Sequence, residues 1–450
     1  AATVGSNCTE PERVFNFNPA VVDGAGLSEF SGVGGILDIE DSSVSLIAVD
    51  LTKGATGQGG LVFVRPGSSF STEGSTLSNG SVSSNRIDPG IPSDTSEPAG
   101  GCVYAEGAEV SLTITTFTNC RVVGPNKGND PADGDGGAIH ARADSTVSGG
   151  LAVSFSDNSA REGGAIALVN SSADLSEILF VDNAATRNGG AIGAIDSPVT
   201  LGFNSTFRDN AAEDSGGAIS LSGQTLDVTD AALFEGNGAD QRGGAIRVVG
   251  GDLRIRPSTD PVFFPSRFNA NTAQLTGGAI YIFDNTNGLP NPTIQGIEFV
   301  NNSTGNLGGA LSLLSATNIE VVDSSFSGNS SGSLGGAVYS QGSTSTFRSS
   351  EACKAFRFED PNEYCSQFVG NTADFGSAIY YRDNSLENRV LTTAFGGNSG
   401  RDAVEVAGTV AAFGASEASM ESVWFFENSG NAVGANGDSM VRVVHGTFHN

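Results

Sequence analysis

Gly163-Gly164-Ala165-Ile166, Phe180-Val181-Asp182-Asn183, Gly189-Gly190-Ala191-Ile192, Phe207-Arg208-Asp209-Asn210 and Gly216-Gly217-Ala218-Ile219 follow one another along the middle of the chain. Two motifs alternate here, Gly-Gly-Ala-aliphatic and Phe-x-x-Asn, and each most often returns after 27 residues. The Phe motif begins at Phe155, Phe180, Phe207, Phe234, Phe268, Phe299, Phe326, Phe368, Phe395 and Phe425. The Gly motif begins at Gly136, Gly163, Gly189, Gly216, Gly243, Gly277, Gly308 and Gly335, with a near copy at Gly376. Weaker blocks at Gly34, Gly59, Gly100, Arg401 and Gly430 extend the pattern both ways, which predicts about 14 coils.

Between the motifs the apolar residues alternate with period two, as in Leu151, Val153 and Phe155, and Ser, Thr, Asn, Asp and Gly interrupt them every few residues. No window holds an apolar stripe of helical period. A coil of this length suits three short strands and three turns, and parallel crossovers are right-handed by strong preference. The expected fold is all-β, a right-handed, single-stranded parallel β-helix. Each motif residue then has a task. Phe155, Phe180, Phe207, Phe234 and Phe326 point inward and stack coil on coil. Asn158, Asn183, Asn210, Asn237 and Asn329 end their strands and bond to turn backbone and to the next Asn. Gly163-Gly164 and Gly216-Gly217 allow a corner where a Cβ would clash. Strict alternation would turn Ala165, Ala191, Ala218 and Ala245 outward as a smooth strip, whereas a corner bend would tuck them inside.

Residues 1–33 lack both motifs and are expected to cap the N-terminal edge; residues 34–450 form the repeat domain. Loops are expected near 64–99, 121–135, 252–266 and 341–367, where the spacing lengthens. Val441 to Phe448 reads as one more core strand, expected to be followed by further chain or docked on another subunit.

The alternation of Phe-x-x-Asn with Gly-Gly-Ala-(Ile/Leu/Val) over about residues 100–433 resembles the repeat of the chlamydial polymorphic outer membrane protein family. The resemblance implies a surface-exposed β-helical domain that acts in adhesion, without catalysis. The chain departs from that family in showing no C-terminal pattern of an autotransporter barrel.

Fifty acidic against 22 basic residues give a net charge of −28, which disfavours nucleic acid, anionic lipid and polyanionic glycans as partners. No apolar run is long enough for a membrane-spanning helix. Ala1-Ala2-Thr3 suits a terminus left by signal cleavage. Cys102 with Cys120, and Cys353 with Cys365, are expected to form local disulfides in an oxidising compartment, leaving Cys8 over. Sequons occur at Asn7, Asn79, Asn170, Asn204, Asn301, Asn302 and Asn329. Asn79, Asn170 and Asn204 are the expected glycan carriers, while Asn302 and Asn329 should be hidden in the stack.

Chemistry is sparse by comparison. His140, Arg247 and Tyr281 fall on one outward line, but Ala167, Gly193, Ser220, Ser312 and Tyr339 share it, so chance exposure is the expected reading. Asp157, Asp182 and Asp209 precede the motif Asn in adjacent coils as an outward acidic ladder. No cofactor is expected. The stretch Asn126 to Asp135 carries oxygen ligands of the kind calcium takes, yet Pro131 interrupts it and it reads as a solvated turn. Regular outward Thr suited to ice is not evident in the motifs. The expected function is a secreted or cell-surface structural or adhesive rod, a building block of a filament or surface array. Its expected partners are other copies, extracellular proteins or glycans. The alternative is a carbohydrate-active β-helix enzyme or a glycan-binding module.

Overall fold

The computed structural model describes residues 2–4, 13–23, 36–52, 55–56, 59–83, 99–123, 134–257, 265–285, 293–350, 366–383, 388–400, 408–413, 416–429, 431–436 and 438–449. They form two compact units, Ala1–Gln224 and Thr225–Asn450. Each unit is a parallel β-solenoid, and no helix occurs among the described residues.

One coil of the first unit shows how the sequence makes the turn. Ile166–Val169 lies in a first sheet, Ser172–Leu175 and Ile178–Val181 in a second, and Ala184–Asn188 in a third. Each strand pairs in parallel with its counterpart one coil on, for instance Ile166 with Ile192 and Phe180 with Phe207. The coil therefore has four strands rather than the expected three. The second side is broken in two by a residue with left-handed backbone, Glu177 here. Every corner has such a residue: Gly163, Asn170, Glu177 and Asp182, then Gly189 opens the next coil. Gly, Asn and Asp fit these places because a side chain at positive φ meets the following carbonyl.

Strands of the third sheet number six in each unit, so there are about 12 full turns, not 14. The weak motifs at Gly34, Gly59 and Gly100 lead into third-sheet strands at Ala55–Thr56, Ser81–Ser83 and Arg121–Val123, whereas the described residues after Arg401 and Gly430 supply strands only to the other two sheets. Two described stretches of the expected cap join the ladders: Ala2–Val4 pairs with Leu37–Ile39, and Arg13–Asp23 with Ser43–Thr52. The expected loops are narrower at their edges, since Ser69–Glu73, Arg121–Val123, Asp252–Arg256 and Ser345–Arg348 are regular strands. The rest of those loops, including Cys353 and Cys365, lies mostly outside the described residues.

Two columns fill the core. In the first unit Phe117, Phe155, Phe180 and Phe207 are fully buried, with successive ring centroids 4.8–4.9 Å apart and planes within 11°. In the second, Phe234, Phe268, Phe299, Phe326, Phe368, Phe395 and Phe425 stack at 4.6–5.2 Å. The near-parallel stacking follows from the strand spacing of ~4.8 Å, which leaves a planar ring one way to repeat.

Beside the rings runs the asparagine ladder. Asn158 donates its backbone N–H (3.1 Å) and its Nδ2 (2.9 Å) to Oδ1 of Asn183, and Asn183 repeats this to Asn210. The second Nδ2 hydrogen of Asn183 reaches back to the carbonyl of Phe155 at 3.0 Å. The second unit repeats it from Asn237 through Asn271, Asn302, Asn329, Asn371 and Asn398 to Asn428. A buried amide is thereby fully satisfied, which no other short side chain could do here.

Ala165, Ala191, Ala218 and Ala245 are buried, so the smooth outward strip does not exist. Ala138 and Ile139 both donate their N–H to the carbonyl of Ala165, a bulge that takes Ala out of strict alternation. The Gly pair makes this corner possible. Gly163 has φ +61°, and a Cβ on Gly164 would run into the carbonyl oxygen of Gly190 in the next coil.

Candidate functional site: the outer face of the first sheet

With core positions filled by the two columns, recognition falls to outward positions. On the first sheet of the first unit, register aligns Phe63, Tyr104, His140, Ala167, Gly193 and Ser220 on the outer side. Phe63 stacks on Tyr104 at 4.9 Å and Tyr104 on His140 at 5.3 Å. Although they face outward, Tyr104, His140 and Ser220 are buried, which corrects the expectation of chance exposure. Burial lifts the Tyr104 phenol to about 12, opposed by Arg142.

The sequence reading missed the position just before each Gly pair. There Asp135 and Glu162 bridge in parallel, as do Asn188 and Ser215. Arg161 Nη2 lies 3.2 Å from Asp135 Oδ1, and Arg187 Nη1 3.3 Å from Glu162 Oε1. Asn188 Nδ2 also donates to Glu162 at 3.3 Å. Both carboxylates keep only 14% exposure. Burial pushes both carboxyls up, with Arg161 chiefly opposing it at Asp135 and Arg187 at Glu162, while Asp135 adds to the rise at Glu162. The missed signal was available: the residue before Gly-Gly is charged or polar in these coils and apolar later.

In the second unit the same position reads Arg242, Thr276, Leu307, Leu334, Phe375, each bridged to the next. Register places Arg247, Tyr281, Ser312, Tyr339, Tyr380 and Ala411 beside them. Thr276 Oγ1 donates to Ser312 Oγ at 2.6 Å, and Arg242 lies over the Tyr281 ring at 5.7 Å. Leu307, Leu314, Leu334 and Phe375 pack half-buried around Tyr339 and Tyr380, whose rings are 6.0 Å apart. Leu275 and Phe283 remain 45% and 38% exposed. The position before the Gly pair is thus ionic or polar in the first unit and turns apolar in the second from Leu307 onward.

The other expected residues distribute as follows. Asp157, Asp182 and Asp209 are exposed corner residues with positive φ. No group able to hold a metal ion occurs among the described residues, and the acidic stretch from Asn126 lies outside them as far as Asp133. Asn79, Asn170 and Asn204 are exposed at corners, whereas Asn302 and Asn329 are fully buried. Cys102 and Cys120 are joined, with both side chains buried. The second sheet of the first unit carries paired hydroxyls between coils: Ser69 bonds Ser43 at 2.8 Å, and Ser154 bonds Thr116 at 3.1 Å. No described helix is long and apolar enough to cross a membrane.

No curated protein and no solved structure matches the chain. Residues 152–168 and 323–341 match the Chlamydia polymorphic membrane protein repeat, and each stretch runs from a Phe-x-x-Asn through the following Gly-Gly-Ala. The chain therefore carries that repeat, with one matched stretch in each of its two units.

Proposed function

We propose that this is an extracellular, surface-associated β-solenoid that works by contact, presenting the outer face of its first sheet to another copy or to a partner on another surface. The observation that carries this reading is the apolar-aromatic strip of the second unit, where Leu275 and Phe283 stay exposed beside Leu307, Leu314, Leu334 and Phe375 on successive coils. A patch of this kind on a soluble chain marks a site of association. The polymorphic membrane protein repeat supports a surface location. Binding of the labelled chain to cells and to itself, compared with a Leu275→Asp/Phe283→Asp variant, tests the reading. Adhesion or self-association should fall at least ~10-fold with circular dichroism unchanged. Equal binding would reject this face.

A second reading, a carbohydrate-active enzyme, has one specific observation in its favour. Asp135 and Glu162 sit on adjacent coils with Arg161 and Arg187, residue types that acid–base cleavage of a sugar polymer uses. Reducing ends released from neutral polysaccharides by the chain, and not by Glu162→Gln, would establish it; no release by either would dismiss it.

A further inference from the structure

We infer that the Cys102–Cys120 disulfide is a removable rung of the asparagine ladder, which makes the stability of the first coils depend on the redox state of the surroundings. Cys120 occupies the ladder position. Its N–H donates to Asn158 Oδ1 at 3.0 Å, as the N–H of Asn158 does to Asn183 at 3.1 Å. Its Sγ lies 3.7 Å from the carbonyl of Leu77, where Asn158 Nδ2 meets the carbonyl of Phe117 at 3.2 Å. Leu77 and Phe117 are register partners, so the two sites are equivalent.

Cys102 follows Gly100-Gly101 and stands where Ala138, Ala165, Ala191 and Ala218 stand in the coils above. The bond thus spans the alanine and asparagine positions of one coil, with a sequence separation of 18, the same interval as from Ala165 to Asn183. One coil lower the ladder position is Gly80, which has no amide to offer. The ladder of the first unit therefore runs from Asn210 down to Asn158, and the covalent bond takes its place at Cys120.

A small dithiol supplies two electrons and two protons, breaks the S–S bond into two thiols and closes its own disulfide. Reduction leaves the Cys120 N–H bond to Asn158 in place but removes the covalent link between the alanine and asparagine positions, and the single weak donor of a thiol does not replace the two-hydrogen amide contact that Asn158 makes one coil on, so the rung is lost. Oxidation outside the cell restores it and locks the first coils.

The test is hydrogen exchange of the full chain, oxidised and dithiol-reduced, with reduction confirmed by alkylation. On reduction, amides of residues 59–83 and 99–123 should exchange about 100-fold faster, while 163–224 keep their protection. Unchanged exchange in 59–123, or equal acceleration across 36–224, would overturn the inference. A Cys102→Ala/Cys120→Asn variant separates rung from staple. It rebuilds the Ala–Asn pair, so its first coils should be as protected as the oxidised parent and indifferent to dithiol. Exchange as fast as in the reduced parent would refute the substitution.

Discussion

Asn183 shows how much one side chain does in this fold. Its Oδ1 takes two hydrogen bonds from Asn158, and its Nδ2 gives one to Asn210 and one to the Phe155 carbonyl. Glu162 is the opposite case, a buried carboxylate whose surroundings favour the neutral form. Because the folded chain holds the protons of Asp135 and Glu162 more tightly than the unfolded chain, the linked stability is complete below the ordinary carboxylate range. It is lost as pH rises through the lifted values. The parent's thermal midpoint should therefore decline as pH rises from the ordinary carboxylate value of about 4 through the lifted values, and Glu162→Gln should flatten that decline. Thermal melts across that range check this; parallel curves for parent and variant would contradict it.

At the scale of the coil, the corners set the cost. Most left-handed positions hold Gly, Asn or Asp, but Ile114 has φ 47° and is 46% exposed. A β-branched residue in this region carries a penalty of about 1–2 kcal/mol. Ile114→Asn should raise stability by about 1 kcal/mol, read from the urea midpoint of the intact chain. An unchanged or lowered midpoint would show that Ile114 contributes packing that the corner needs. The same reasoning explains the break in the second side, since Glu177 and Thr392 take this conformation where a continuous strand would overshoot the corner.

At the scale of the molecule, each coil meets only its neighbours, so stability should be close to a sum over interfaces. Asn183→Ala strands the N–H and Nδ2 of Asn158, and Asn371→Ala does the same to Asn329. Each should cost about 3 kcal/mol, from two buried donors without acceptors. The two residues lie in different units, so the double variant should add within about 0.5 kcal/mol. Chemical denaturation of the single and double variants measures it, and a large coupling would mean that the coils do not act as near neighbours only. The net charge of −28 acts at this scale too, favouring solubility over close association except where a surface strip is free of carboxylates.

The repeat spacing determined the solenoid, the Phe column and the Asn ladder, because a ring and an amide recurring in register can be satisfied only by their own copies one coil away. Cys102 with Cys120 was legible for the same reason, both lying within one coil. Only the tertiary structure decided that Ala165 faces inward, since two N–H groups sharing its carbonyl shift the alternation by one residue. It alone also brought Asp135 and Glu162 against Arg161 and Arg187. Where a side chain before Gly-Gly points depends on the corner's left-handed backbone, and a period-two pattern says nothing about direction through a bend.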